Sequence, residues 1–222
     1  MKTKLILTAA IVSLSSTALL ATNIQHTGLD WTRGMSIELQ ADNRVRNVSA
    51  GVGVLRIDGA SFLDAFCVNL FQGVTLFQDY SAVSKLPDAY DSDGGTAAWL
   101  MQTFLPVVNA AAGAAKQIDG AALQLAIWDT IHDGGDGFAL GRVRSTGNTN
   151  SNVLALANQW RLASLDQHGI ASVYTAAPGS RAFQQQIYLT VGTSEVPEPG
   201  TLAMLAIGGL GIYFGTWRRR RS

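Results

Sequence analysis

Two apolar segments, one at each end of the 222-residue chain, constrain the rest of the molecule most strongly. Residues 1–21 begin with two lysines, continue with a short apolar stretch and end in small residues. This is the layout of a secretory signal peptide, which we expect to be cleaved after Ala21. An uncleaved membrane anchor is the alternative, although the apolar stretch is short for a membrane span. About 175 residues remain between the two ends, the size of one domain with a substantial core.

The C-terminal segment, residues 195–222, combines three features in order. Pro197, Glu198 and Pro199 come first, an apolar stretch of 17 residues follows over 201–217, and four arginines and a serine end the chain. Seventeen apolar residues are just long enough to cross a bilayer as a helix, and clustered arginines favour the cytoplasmic side. We therefore predict a transmembrane helix over 201–217, with the body of the protein outside the cytoplasm.

This C-terminal arrangement resembles the PEP-CTERM sorting signal of Gram-negative bacteria, with Pro197, Glu198 and Pro199 as the sorting motif. The resemblance implies that an exosortase, a membrane transpeptidase-like enzyme, is a partner in sorting. It also implies a place in the cell envelope, at the cell surface or in an extracellular matrix such as a biofilm. The membrane would be a partner through residues 201–217 before processing. An ordinary tail anchor is the alternative.

The charged residues are unevenly distributed. The chain has 16 basic and 16 acidic residues, but two lysines lie in the signal peptide and four arginines at the C-terminus. Ten basic residues therefore remain against 16 acidic ones, a net charge near −6 between the two clusters. A body of this sign gives no reason to expect a nucleic-acid partner. The stretch Asp91–Thr96 does not predict a calcium loop, because the twelfth residue is Gln102 rather than glutamate, and we predict neither a metal nor a cofactor.

Strand-like patterns occupy both ends of the body, and helical patterns occupy its middle. The predicted strands are Met35–Leu39, Val52–Ile57, Phe62–Leu70, Val74–Phe77, Ser172–Ala176 and Phe183–Val191. The predicted helices are Ala97–Leu105, which Pro106 ends, Gly120–Ile131 and Val153–Leu165. This order predicts one α+β domain over residues 22–194. We expect a β-sandwich or barrel-like sheet, with a helical insertion between the strand of Cys67 and the C-terminal strands.

Cys67 is the only cysteine of a chain that we expect to be exported. Cysteines of exported proteins normally occur in pairs, because the compartment is oxidising. Cys67 cannot form an internal disulfide, and four states remain open. It is an inert buried thiol, half of an intermolecular disulfide, a nucleophile, or bonded to something other than sulfur.

Gln124 is the polar residue of the apolar stretch Leu123–Trp128. The helical spacing places Gln124 on one face with Ile127, Trp128 and Ile131, so the pattern predicts that its amide faces the core. A buried amide needs partners for its carbonyl and for two N–H groups, or it costs stability. The sequence therefore raises the question of whether Gln124 and Cys67 meet.

The neighbourhoods of Cys67 and Gln124 resemble the two motifs of the bacterial thioester domains, which were described in surface adhesins of Gram-positive bacteria. Phe66 and Cys67 correspond to the aromatic-Cys strand segment of that family. Leu123, Ile127 and Trp128 occupy the apolar and aromatic positions around its glutamine. The resemblance implies a thioester between the Cys67 sulfur and the Gln124 side-chain carbonyl, with loss of ammonia.

The thioester, once formed, is an electrophile. An amine on a partner, such as a lysine side chain, would attack the Gln124 carbonyl carbon and release Cys67, leaving an amide cross-link. This is a single covalent capture, so we predict that the chain is not an enzyme. His132, two helical turns after Gln124, is a candidate for acid–base assistance, whereas a favourable interaction with the helix dipole is the alternative.

Two further functions remain as alternatives to covalent attachment. The first is a structural envelope or biofilm protein in which Cys67 is inert, as buried cysteines commonly are. The second is a cysteine hydrolase that uses Cys67 and His132. A buried strand cysteine without a nucleophile signature is a poor candidate for that role.

Overall fold

The computed structural model describes residues 21–189. Residues 1–20 of the predicted signal peptide lie outside this range, as do the sorting motif and the predicted transmembrane helix over 201–217. None of the helices between residues 21 and 189 is both long and apolar enough to cross a membrane. The described strands are β1 Thr22–Ala41, β2 Arg44–Ile57, β3 Ser61–Cys67, β4 Asp79–Lys85, β5 Val143–Ser145, β6 Ser172–Ala176 and β7 Gln186–Tyr188. The helices are α1 Gly94–Ala110, α2 Gly113–Asp133 and α3 Ser151–Ala163.

Six of the strands form a closed antiparallel ring in the order β1-β2-β3-β7-β6-β4, because β4 pairs back onto β1. The short β5 joins the far end of β1. Side chains from the ring and its connections form an apolar core that includes Ile24, Leu55, Tyr174, Phe183 and Tyr188. The α+β class and the barrel-like sheet that the sequence predicts are therefore confirmed, and the last strand closes onto the strand of Cys67.

The helices lie between β4 and β6 in sequence, as predicted, and α2 is the central one. It contacts α1, α3 and the two longest strands, β1 and β2. Its residues from Gly120 to Ile131 are all buried. Gly120 is required where α2 meets β1, because a Cβ there would lie 1.9 Å from the carbonyl oxygen of Arg33. This close approach brings the middle of α2 against the ring.

Several predicted boundaries are wrong. Pro106 does not end the first helix, which continues to Ala110. The proline lies within the last two turns of the helix, and its missing N–H leaves unpaired only the carbonyl of Gln102, an exposed residue that water can reach. The second helix begins at Gly113 rather than at Gly120. The third ends at Ala163, and Leu165 is exposed rather than buried.

The segment after β3 is not the predicted strand Val74–Phe77. Phe77 adopts φ +59°, which a strand residue cannot have. The true strand, β4, begins two residues later and has Asp, Ser and Lys at four of its seven positions. Pairing with β1 and β6 fixes it in place, so tertiary contacts override its weak strand propensity.

Candidate functional site

The Gln124 side chain is hydrogen-bonded to the main chain of Cys67 at both ends of its amide. The Cys67 N–H donates to Gln124 Oε1 at 3.1 Å, and Gln124 Nε2 donates to the Cys67 carbonyl at 2.7 Å. The two residues that the sequence singled out therefore meet. The paired hydrogen bonds hold the Gln124 side-chain carbonyl opposite the Cα of Cys67, and the sulfur is only two bonds from that Cα.

Strand β3 and helix α2 position this pair. Cys67 is the last residue of β3 and pairs with Gln186 of β7, so the ring fixes its backbone. Gln124 is almost fully buried, 1% exposed, in the middle of α2. Such an amide would cost about 1–3 kcal/mol for each unpaired polar group, and both of its ends are paired here.

The apolar residues that the sequence places around the pair are buried. Phe66, Leu123 and Ile127 are completely inaccessible to solvent, and Trp128 is 2% exposed. This burial raises the pKa of the Cys67 thiol to about 12, because the thiolate is poorly solvated. The nearby Trp128 indole N–H, which has no hydrogen-bond partner within ordinary distance among the described residues, lowers this pKa, but its effect is weaker than that of burial.

Cys67 and Gln124 lie on the wall of a cleft of about 470 Å³. Trp31 and Leu76, at 56% and 48% exposure, connect the cleft to the surface. Of the described residues that line it, none is an aspartate, glutamate, lysine or arginine. The lining residues are His26, Thr27, Gly28, Leu29, Trp31, Ser49, Gly51, Gly53, Cys67, Val74, Leu76, Gln124, Gln184 and Gln186.

His26 is the residue of this cleft that sequence reasoning missed. It lies on β1, 4% exposed, and its Nε2 atom is buried without a hydrogen-bond partner in the part of the chain that the structure describes. Burial lowers the pKa of His26 to about 4, so the imidazole is neutral at physiological pH. No motif surrounds His26, and the only available signal was a histidine in a strand-like stretch.

His132, the histidine that the sequence suggested for acid–base assistance, lies elsewhere. Its Nε2 accepts a hydrogen bond from the Leu70 N–H at 3.3 Å, and its ring packs edge-on against Phe71. His132 does not line the cleft. A role for it in proton transfer at Cys67 stays a prediction without geometric support.

A second polar cluster lies at the C-terminal end of α2. The carboxylates of Asp129, Asp133 and Asp136 approach within 4.8 Å of one another, an arrangement that could hold a cation. Protein groups already engage two of them. Asp133 accepts from the main-chain N–H groups of Arg142 and Val143, and Asp129 accepts from Gly137.

Asp129 is completely buried in that cluster, and its nearest cation is Arg161 at 3.7 Å. An ion pair at this distance without a hydrogen bond is loose. Desolvation outweighs it and, helped by the neighbouring carboxylates, raises the pKa of Asp129 to about 7. We therefore regard the cluster as a structural network in which Arg161 supplies the positive charge.

Comparison with known proteins bears on the C-terminal end of the chain. Residues 195–221, which include Pro197, Glu198 and Pro199, match the PEP-CTERM protein-sorting motif, and this confirms the predicted sorting signal. No curated protein and no solved structure matches the chain. The motif indicates an exported protein that an exosortase sorts to the cell envelope.

Proposed function

We propose that this exported protein attaches covalently to amine-bearing partners at the cell surface or in the extracellular matrix, through a thioester between Cys67 and Gln124. The observation that carries the proposal is the two-point hydrogen bonding between the Gln124 amide and the Cys67 main chain. A glutamine amide is a poor acylating agent, so the reaction depends on holding thiol and carbonyl at near-attack distance.

The hydrogen bond from the Cys67 N–H also supports the chemistry. When sulfur attacks the Gln124 carbonyl carbon, negative charge develops on Oε1, and this N–H already points at that oxygen. The C–S bond forms, the C–N bond breaks, and the amide nitrogen leaves as ammonia with the thiol proton. The thioester then replaces the side-chain amide.

Capture of a partner repeats these steps in reverse with a different amine. The incoming nitrogen occupies the place that Gln124 Nε2 has left, and its N–H donates to the Cys67 carbonyl. The C–N bond forms, the C–S bond breaks, and the sulfur leaves as the Cys67 thiol. An uncharged cleft suits a neutral amine, the nucleophilic form, since no carboxylate among the described lining residues holds it as an ammonium ion.

Intact-mass spectrometry of the exported domain tests the proposal. The mass should be lower than the sequence mass by one ammonia, and methylamine should add stoichiometrically. Cys67→Ala should have its full sequence mass and should not add methylamine. A native wild-type domain with the full sequence mass and a freely alkylated Cys67 contradicts the proposal.

A structural envelope protein with an inert cysteine is the second candidate, and one observation favours it. The two hydrogen bonds to Cys67 satisfy both ends of the Gln124 amide without any covalent bond, and the high thiol pKa of Cys67 disfavours a free thiolate. This candidate predicts an unmodified mass and no effect of Cys67→Ala on attachment of cells or matrix.

A further inference from the structure

The buried imidazole of His26 has a ring nitrogen that makes no hydrogen bond among the described residues. Its Nε2 atom is inaccessible to solvent and has no hydrogen-bond partner within residues 21–189. Leaving such a group unpaired costs stability, and native structures rarely do so without a functional reason. The same ring lines the cleft that contains Cys67 and Gln124.

The three histidines of the chain differ in the partners of their rings. His132 accepts a hydrogen bond from Leu70, and His168 is exposed and lies near Asp88. His26 is the histidine that lines the cleft, and its buried Nε2 has no hydrogen-bond partner among residues 21–189. A neutral imidazole nitrogen either accepts or donates a proton, so His26 is able to do both in turn.

We propose that His26 carries the proton during formation and opening of the Cys67–Gln124 thioester. This inference rests on the proposed function, because it assigns a residue to that reaction. His26 is held by β1, which pairs with both β2 and β4 at residues 24–25 and with β2 at His26 itself. The closed ring of strands therefore holds His26 in place at the cleft, so that the position of its imidazole does not depend on a mobile loop.

The proton balance of formation is complete with these three side chains. The His26 imidazole accepts the proton of the Cys67 thiol as sulfur bonds to the Gln124 carbonyl carbon. It then donates that proton to the departing amide nitrogen, which leaves as ammonia, and the imidazole ends neutral. Transfer accompanies C–S bond formation, because burial makes the free Cys67 thiolate costly.

Opening of the thioester by an amine uses the same imidazole. His26 accepts a proton from the attacking amine and gives it to the Cys67 sulfur as the C–S bond breaks. General acid–base assistance of this kind typically contributes about 10²–10⁴-fold to a rate. Loss of the imidazole should therefore slow both directions by about 100-fold.

The test compares the wild type with His26→Gln, His26→Ala and the control His168→Gln, which alters an exposed histidine away from the cleft. Intact mass gives the fraction of each protein with the ammonia loss, and a time course gives the rate of methylamine addition. We expect His26→Gln to have mostly the full sequence mass, and its residual thioester to react about 100-fold more slowly. His168→Gln should match the wild type.

Free imidazole provides a readout that a purely structural role would not affect. In His26→Ala the removed ring leaves space beside the cleft, so added imidazole should restore part of the methylamine rate. It should have no effect on the wild type. Far-ultraviolet circular dichroism and thermal unfolding confirm that each variant is folded before rates are compared, and His26→Gln serves where His26→Ala does not fold.

The outcomes separate the two proposals. A wild type with the full sequence mass overturns the thioester and with it the role of His26. A wild type with the ammonia loss, together with a folded His26→Gln that forms and opens the bond at the wild-type rate, overturns the role of His26 alone.

Discussion

The two polar regions of α2 are built in opposite ways. At Gln124, in the middle of the helix, the described residues that line the cleft carry no formal charge, and the Nε2 of His26, another lining residue, has no hydrogen-bond partner within residues 21–189. At the C-terminal end, three carboxylates are close together. Main-chain N–H groups donate to Asp129 and Asp133, and Arg161 lies 3.7 Å from Asp129. The first region lies on the wall of an open cleft, whereas the polar groups of the second contact one another and the neighbouring main chain.

This difference indicates where reactivity belongs in the molecule. The carboxylate cluster of Asp129, Asp133 and Asp136 is the more conspicuous concentration of polar groups, yet its hydrogen bonds are made within the protein. The Gln124 region contains few polar groups, but they adjoin space for a ligand. We expect changes near Gln124 to affect the reaction with amines, and changes in the carboxylate cluster to affect stability.

The largest expected effect is that of Gln124→Glu on the reaction with amines. A carboxylate has no ammonia to release and is a still poorer acylating agent than the amide, so no thioester forms. Methylamine incorporation, measured by intact mass, should fall to background. Glutamate nearly preserves the shape of glutamine, so circular dichroism should still show a folded domain, and stoichiometric incorporation by this variant would contradict the assignment of Gln124.

Asp129→Ala should lower the stability of the domain without affecting its reaction with amines. It removes the acceptor of the Gly137 N–H and leaves the buried Arg161 without its nearest carboxylate, which should lower the free energy of unfolding by roughly 3 kcal/mol. Methylamine incorporation should remain at the wild-type level under conditions where the variant is folded. Urea denaturation measures the first effect and intact mass the second, and a loss of incorporation in the folded variant would break the distinction between the two regions.

The two regions should also differ in the sign of their pH dependence. His26 has a folded pKa of about 4, below the ordinary 6.5, so its contribution to stability is full above pH 6.5 and is lost as the pH falls towards 4. Asp129 has a folded pKa of about 7, above the ordinary 3.8. Its contribution is therefore full below pH 3.8 and is lost as the pH rises towards 7. Each contribution amounts to roughly 3–4 kcal/mol at most.

Urea denaturation from pH 4 to pH 7 tests these signs, with Cys67→Ala as the background so that no thioester can form. Relative to that background, adding His26→Gln should become more favourable as the pH falls. Adding Asp129→Asn should become more favourable as the pH rises. Parallel curves for all three proteins would show that neither group titrates as its burial indicates.

The smallest effect should come from His132→Ala. The substitution removes the acceptor of the Leu70 N–H and the edge-on contact with Phe71, which should cost about 1 kcal/mol of stability. Methylamine incorporation should change less than about 2-fold, because His132 does not line the cleft. A loss of incorporation comparable to that of His26→Gln would restore His132 as the acid–base group.

Much of the fold follows from patterns local to the chain. The order of strands and helices predicts the α+β class. The strand Ser172–Ala176 is found as predicted, and the third helix, predicted over Val153–Leu165, is found at Ser151–Ala163. Strand β4 and the short β5 could not be predicted. Their polar or brief sequences have little strand propensity, and pairing with β1 creates them.

The residues of the candidate site also divide into those that the sequence could identify and those that it could not. Cys67 and Gln124 could be selected because each stands out within its own stretch, as a lone cysteine or as an amide among apolar residues. His26 could not, because its significance depends on a cleft lined by side chains from distant parts of the chain. The same holds for Asp129, whose closest cation comes from α3.

The sequence by itself determines the sorting signal, the helical face that buries Gln124, and the identity of the single thiol, because each is a property of a short continuous segment. Only the tertiary structure decides that the Gln124 amide binds the Cys67 main chain, and that His26 rather than His132 faces the cleft. Closure of the ring and the close contact between Gly120 and β1 bring these residues together. Such long-range contacts leave no pattern in the local sequence.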